Sequence, residues 1–405
     1  MPAYYPFQDK GGPVVKVRAL ARSLVQRGHK VTVLTVDLGL DKQNGLQVER
    51  CGWGRRLELD GVEVIYLATL ASCRALTINP RVAEFCRNTL QHCDVVHFYG
   101  LYDLLGPTVS FFCRRSKIPY VIEPMGMYRP IDRSLRLKRL WHRTLGKTFW
   151  QNAARIVATS EIEQQDLIEG GVPPQKIVIR YNGIDGGLYS ASPPRGTFRG
   201  RWRLSPRDPL VLFLSRLIPR KGADILIEAF AQVCAESGWL VIAGPEGKPG
   251  YVAHLKECAK RAGVEAQVLF TGPLYDEDKK AVLADADIFI LPSRYENFAN
   301  AAAEAVACGV PVIIGEACGI RSLVESRAGL VVAPTKQEVA GALRNLMEDR
   351  ALYTRLQQGC RQVAAQLDWA KLTEQMERYY LLAVAQGGGF QGSCKRNHGL
   401  RQTSV

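Results

Sequence analysis

Short apolar runs alternate with helix-length amphipathic stretches along this chain, and that alternation restricts its fold more than any other feature. In the first half the runs fall at 30–36, 62–67, 94–98, 120–122 and 155–158. In the second half they fall at 209–214, 239–242, 267–270, 288–291 and 310–314. Strands separated by helices of this length imply βαβ units, hence α/β domains whose parallel sheets are covered on both faces. Between the two series the chain changes character: Gly186 and Gly187, the Pro193-Pro194 pair, and Arg195, Arg199, Arg201 and Arg203 follow in quick succession. Such a composition suits a linker. The expected organisation is a Rossmann-like doubly wound domain over 1–185, a linker over 186–206 and a second such domain over 207–365. A helix over 366–385 is long enough to pack back on the first domain, and the glycine-rich polar tail 386–405 is expected to be disordered.

One element expected of the first domain is missing. A doubly wound sheet ordinarily opens with a buried central strand that feeds its first loop. Here the loop Tyr4-Tyr5-Pro6-Phe7-Gln8-Asp9-Lys10-Gly11-Gly12-Pro13 leads directly into the helix 14–27 and the strand 30–36. Omitting the strand would leave unpaired backbone on both of its neighbours. The expectation is that Met1 lies at the end of that strand; the alternative is a sheet that manages without it.

With 405 residues, 53 Lys and Arg, and 39 Asp and Glu, the chain suits two domains and carries a formal charge of +14. A basic balance favours partners that carry phosphate: nucleic acid, an anionic membrane or a phosphorylated substrate. No nucleic-acid recognition motif accompanies the charge, so nucleic acid is not expected. The 11 cysteines are scattered without a C-x-x-C pair, which points to small buried hydrophobes rather than disulfides or zinc. No apolar run approaches the ~20 residues that span a bilayer, and the N-terminus has neither the basic nor the apolar region of a secretory signal. A soluble, cytoplasmic protein is expected.

The chemistry concentrates in Ile290-Leu291-Pro292-Ser293-Arg294-Tyr295-Glu296-Asn297-Phe298-Ala299-Asn300, which runs on through Ala301-Ala302-Ala303-Glu304 to Gly309. The pattern is strand, loop, small-residue helix and glycine stop. A helix beginning near Ala299 would aim its free N–H groups at a cleft, where their partial positive charge favours phosphate. Glu304 falls in the second turn of an otherwise apolar helix, which argues against ordinary solvated surface. Upstream, the segment Phe213-Leu214-Ser215-Arg216-Leu217-Ile218-Pro219-Arg220-Lys221-Gly222 puts two cations and a glycine in a loop after a strand. Cations so placed can neutralise a pyrophosphate without a metal.

Glu296 and Glu304 resemble the E-x7-E motif of family 4 of the retaining glycosyltransferases of the GT-B fold, and the resemblance extends from about Tyr4 to Tyr380. It implies two Rossmann-like domains facing a cleft, with a hexose moved from a nucleoside-diphosphate sugar to an acceptor hydroxyl with retention. It further implies that Arg216 and Lys221 hold the diphosphate, that Glu296 positions the donor sugar and that Glu304 binds the ribose. Ala243-Gly244-Pro245-Glu246 resembles the family's donor-side glycine loop, and Phe270-Thr271-Gly272-Pro273-Leu274 the stretch whose backbone meets the base. Asn297, Phe298, Ala299 and Asn300 would meet the donor at the helix start, and Gly319-Ile320 lies where the family's backbone approaches it. Tyr181-Asn182-Gly183-Ile184-Asp185 resembles the element that ends the first domain. Ser160-Glu161-Ile162-Glu163 is a capping box that needs no functional role.

On the first-domain side, Gly11-Gly12 matches the family's glycine pair, either as a close backbone approach to the donor or as a plain turn. His97, ending a strand, is either a satisfied structural histidine or an acceptor contact. Glu123-Pro124-Met125-Gly126 departs from the pattern, because many relatives carry histidine where Met125 stands. Methionine can neither donate a hydrogen bond nor titrate, so the polar contact from that position is lost. No D-x-D stands in a suitable loop, and neither a metal nor a cofactor beyond the donor is implied.

The stretch 129–150 is basic and amphipathic: Leu137, Leu140, Trp141, Leu145 and Phe149 on one helical face, Arg136, Arg139, Arg143 and Lys147 on another. It either lies on an anionic membrane, at the inner face where a lipid-linked acceptor would be met, or packs its apolar face on its own domain. A glycan is the other acceptor class. A nucleotide-sugar epimerase and a catalytically weak donor-binding relative are the alternatives to transfer.

Overall fold

A computed structural model describes residues 1, 4–6, 12–40, 48–73, 76–129, 135–185, 193–234 and 237–387. The first domain runs α1 (Gly12–Gln26), β1 (Thr32–Val36), β2 (Glu49–Cys51), β3 (Gly54–Leu59), β4 (Val62–Leu67) and the hairpin β5 (Ala71–Cys73) with β6 (Leu76–Ile78). It continues through α2 (Val82–Thr89), β7 (Val96–Tyr99), α3 (Leu105–Arg115), β8 (Tyr120–Glu123), α4 (Leu135–Arg143), α5 (Leu145–Gln151), β9 (Arg155–Ala158), α6 (Glu161–Glu169) and β10 (Ile177–Ile179).

Its strands form two half-sheets, β1-β4-β3-β2 and β10-β9-β8-β7. The second is parallel throughout; in the first, β1 and β4 are parallel, while β3 pairs antiparallel with β4 and β2 at its edge. The physical reason is visible in β3, where Arg55, Arg56 and Glu58 interrupt the apolar residues. A strand with one wet face suits an antiparallel meander rather than a doubly covered sheet. Both half-sheets share the same apolar layers, with Val33, Val64, Tyr99, Val121 and Val157 on one side and Val36, Ile65, Phe98, Ile122 and Ile156 on the other. β1 and β7 each end their half-sheet, and the Met1 amino group donates to the Leu34 carbonyl at 2.9 Å.

The second domain comprises α7 (Thr197–Trp202), β11 (Leu210–Leu214), α8 (Ala223–Val233), β12 (Trp239–Ala243), α9 (Tyr251–Arg261), β13 (Val268–Gly272) and α10 (Asp276–Asp285). β14 (Ile288–Leu291), α11 (Asn300–Ala307), β15 (Val312–Gly315), α12 (Arg321–Val324), β16 (Gly329–Val332), α13 (Lys336–Glu348) and α14 (Arg350–Gln366) complete it. Its six strands lie parallel in the order β13-β12-β11-β14-β15-β16. Read from β11 as the first strand, this is the doubly wound order, with its switch point between β11 and β14. Both strands are buried along their whole length, as a sheet covered on two faces requires.

Residues 193–206 are not a linker. Arg199, only 4% exposed, bonds to Asp287 at 2.8 Å, and its backbone N–H donates to the Asp285 carboxylate at 2.8 Å. These contacts make α7 part of the second domain, while 186–192 and the tail from 388 lie outside the described residues. The last helix, α15 (Trp369–Gly387), returns to the first domain. There Glu377 pairs with Arg27 at 2.6 Å and His29 at 2.7 Å, and the Tyr379 hydroxyl donates to the Ile179 carbonyl at 2.9 Å.

The basic stretch is two helices, not one. The chain breaks at Thr144, and Trp141 turns inward against Tyr102 while Phe149 is 2% exposed. Leu137, Leu140 and Leu145 instead point to solvent, at 62%, 57% and 52% exposure. Residues 130–134 of this stretch lie outside the described residues.

Candidate active site

The loops that follow β11 and β14 meet because their strands flank the switch point. The Arg294 N–H donates to the Arg220 carbonyl at 2.9 Å, and the Ser293 hydroxyl bridges Arg220 and Tyr295 carbonyls at 3.2 and 3.0 Å. Gly222 has φ +75°, and a Cβ there would lie 2.4 Å from the Pro292 carbonyl, so only glycine allows the two loops to close. The result is that Lys221, 6% exposed, places its ammonium on the Glu296 carboxylate. The two residues singled out 75 positions apart in sequence are therefore in direct contact.

Glu296 is held from the other side as well. Its N–H donates to Ala317 and its carbonyl accepts from Gly319, both at 2.9 Å. Arg216 is exposed and has no ion-pair partner among the described residues. Its stem lies on Gly247, where a Cβ would come within 2.6 Å of the arginine Cγ. Gly244, at φ +146°, would put a Cβ 1.8 Å from the Ser215 carbonyl. That glycine lets the ends of β11 and β12 close on one another and so sets the backbone that carries Arg216. Leu274 follows β13 at the same sheet edge and is half-buried against the core.

Helix α11 starts after Ala299, which has φ +76° and ψ +63°, a left-handed conformation unusual for a residue with a Cβ. Strain of this kind collects at functional loops. The Phe298 and Ala299 side chains are 2% exposed and packed in the core, so this pair faces the cleft only with backbone. Glu304 is partly exposed, and both of its oxygens contact the Lys279 ammonium, at 2.7 and 2.6 Å. Lys279, from α10, is a site residue that the linear motifs did not reveal, because its pairing with Glu304 exists only in three dimensions.

Across the cleft the first domain reaches the same loop. Asn300 accepts from the Asn182 amide at 2.8 Å, and a Cβ on Gly12 would lie 2.8 Å from the Asn300 amide nitrogen. Gly12 thus makes the close approach, while Gly11 lies outside the described residues. Met125 and Gly126 are both left-handed, at φ +54° and +77°, and a Cβ on Gly126 would come within 2.8 Å of the Asn297 side chain. Gly126 therefore belongs to the contact between domains, and the Met125 side chain packs on the apolar layer around Tyr4.

His97 does not reach the cleft. Its side chain is buried, stacked on Tyr99 with ring centroids 4.1 Å apart, and its Nδ1 bonds the Tyr380 hydroxyl at 2.8 Å. It belongs to a buried cluster in which Glu123 binds Arg180 at 2.6 Å and also contacts Lys16. Burial takes the His97 imidazole down to about 3, despite the opposing pull of Glu123. Burial alone would raise the Glu123 carboxyl, but Arg180, Lys16 and His97 outweigh it and bring it to about 2. Of the two readings of His97, the structure favours the satisfied structural histidine over the acceptor contact, since its strand end is buried beneath the returning α15.

A family model described as glycosyl transferases group 1 matches residues 194–363, and one described as glycosyl transferase 4-like domain matches 11–183. The chain belongs to the group 1 glycosyltransferases. Among the relatives of this glycosyltransferase is a D-inositol 3-phosphate glycosyltransferase of Kineococcus radiotolerans, 26% identical over 96% of this chain and 94% of that protein. Structures similar to it include HepE of Anabaena in complex with UDP-glucose, with TM-score 0.71 and 22% identity over 94% of this chain and 97% of the other. A sucrose-phosphate synthase of Thermosynechococcus elongatus matches with TM-score 0.71 and 22% identity over 93% and 94%. The fold is accordingly GT-B.

Proposed function

We propose that this glycosyltransferase moves a hexose from a nucleoside-diphosphate sugar to an acceptor hydroxyl with retention of configuration and without a metal or a further cofactor. The observation that carries the reading is the Lys221–Glu296 contact at the switch point of the second domain. A diphosphate entering there would draw the Lys221 ammonium from Glu296, freeing that carboxylate for donor-sugar hydroxyls. Lys221 and Arg216 would then face the leaving group as its charge grows, in a site where preorganised cations stabilise the transition state without reorganising. The N-terminus of α11 adds its own partial positive charge, and Glu304, oriented by Lys279, is placed for the ribose hydroxyls. The departing phosphate can take the acceptor's proton on the same face, so no protein nucleophile is assigned. The HepE complex with UDP-glucose and the inositol-phosphate relative support a nucleotide-sugar donor and a hydroxyl acceptor.

The proposed acceptor is a glycan or a lipid-linked glycan, in polysaccharide, glycolipid or cell-envelope synthesis, with the enzyme in the cytoplasm at the inner membrane face. The exposed leucines and cations of α4 and α5 support that contact, and no helix among the described residues is long and apolar enough to cross a membrane. Incubation with a panel of nucleotide sugars, with and without candidate acceptors, tests the reading. Lys221→Ala and Glu304→Ala should each lower transfer ~10²-fold or more, a loss of a few kcal/mol of transition-state stabilisation. Wild-type turnover in either variant would overturn the assigned roles. Altered sugar formed without acceptor would mark an epimerase instead.

A further inference from the structure

Glu163 sits in the first turn of α6, and its N–H donates to the Ser160 hydroxyl at 3.1 Å, as a helix cap requires. In a capping box its carboxylate would return to the Ser160 N–H. Here it does something else. One oxygen accepts from the Thr159 N–H at 2.8 Å and from the Thr159 hydroxyl at 2.7 Å, and the other accepts from the Gly126 N–H. The residue is 1% exposed. Burial raises its carboxyl, with those same donors and Lys16 opposing.

The Thr159 hydroxyl, having given its hydrogen to Glu163, can only accept on its other side. The Asn297 side chain must therefore present its amide nitrogen, and it does so at 2.6 Å, with Glu163 itself 3.4 Å away. Asn297 adjoins Glu296, and Gly319, whose N–H holds the Glu296 carbonyl, packs so tightly that a Cβ would lie 2.7 Å from the Ser160 hydroxyl. One carboxylate of the first domain thus fixes the left-handed turn at Gly126 and, through Thr159, the loop that carries Glu296.

We propose that Glu163 is a positioning residue of the transfer site: it aligns the Gly126 turn with the Asn297 loop of the opposite domain. The inference rests on the transferase reading for its kinetic consequence but not for its structural one. Glu163→Gln would set an amide donor against the Thr159 or Gly126 N–H. Hydrogen–deuterium exchange on the full chain should then quicken ~10-fold or more over 124–129 and 294–300, with α6 itself unchanged. Thr159→Val should loosen 294–300 and leave 124–129 as in the wild type. With the nucleotide sugar turned over fastest by the wild type, Glu163→Gln should lower kcat ~10-fold or more while donor KM moves less than ~3-fold.

Exchange quickened only over 161–169, or not at all, would reduce Glu163 to a helix cap and overturn the proposal. So would a wild-type kcat. Should no nucleotide sugar turn over in the wild type, the proposed function fails, and the exchange result still decides whether Glu163 aligns the two loops.

Discussion

Glu123, Lys16, His97 and Arg180 show at the scale of single residues how the first domain carries charge in its interior. Glu123 and Arg180 are fully buried, and removing one member of such a cluster strands the others. The cluster lies beneath Asn182 and Asn300, so it supports the cleft from below; Lys16 contacts both Glu123 and Asn182. His97 and Glu123 both have folded values below their unfolded ones, at about 3 and about 2. For groups shifted this way, the stability they contribute is present above the unfolded value and is lost as pH falls toward the folded one. Urea unfolding should therefore show stability declining from about pH 6.5 as His97 protonates in the unfolded chain, and more steeply below about pH 4.5 as Glu123 follows. His97→Gln should remove the first part of that decline while keeping the second. Parallel pH curves for the two proteins would contradict the assignment of His97. The groups that face these two are the cations of Lys16 and Arg180, the Met1 amino group, and the neutral phenols of Tyr99 and Tyr380.

Much of this site could be read in the sequence at the scale of the element, because the loops after β11 and β14 each carry their own residues. Arg216, Lys221, Glu296 and Glu304 lie within two short segments, and parallel α/β packing brings such segments to one sheet edge. Lys279, Thr159 and Glu163 were not legible, since each matters through a partner on another element. Glu163 was hidden further by standing in a capping pattern that accounts for it locally. The hairpins of the first domain escaped because their apolar runs are short and broken by charge. The basic stretch shows the limit of periodicity: the break at Thr144 turns Phe149 inward and leaves Leu137, Leu140 and Leu145 outside. An exposed leucine face flanked by Arg136, Arg139, Arg143 and Lys147 suits an anionic bilayer, where each cation is worth roughly 1 kcal/mol. Reversing Arg136, Arg139 and Arg143 to Glu should lower co-sedimentation with vesicles containing phosphatidylglycerol by ~10²-fold, with unfolding free energy changed by no more than ~0.5 kcal/mol. Equal binding to neutral and anionic vesicles, or no loss in the variant, would rule out this contact.

At the scale of the whole molecule, two domains of different construction divide the work. The second is a parallel sheet in doubly wound order whose switch point gathers Lys221 and Glu296, the residues proposed to meet the donor. The first is split into two half-sheets, ends in the returning α15, and meets the second through glycines, amides and the carboxylates of Glu161, Glu163 and Asp166, the last accepting from the Tyr295 hydroxyl at 2.8 Å. Gly12, Gly126, Asn182 and Thr159 all meet residues 297–300 across it. That asymmetry fits a donor fixed by one domain and covered by the other, with the acceptor entering from the covering side. It also explains why family and fold were plain while the acceptor was not: the first-domain groups that meet residues 297–300 are the Gly12 and Gly126 backbone and side chains that matter through a partner on the other domain.

Retaining transfer from a nucleotide sugar is proposed here for the Lys221–Glu296 site. It is tested most directly by following the anomeric proton by NMR as an α-linked nucleotide sugar is consumed. The new glycosidic bond should first appear in the α configuration, and none should form with Lys221→Ala at the same protein concentration. A β-linked first product, or an α product formed equally well by the variant, would contradict it.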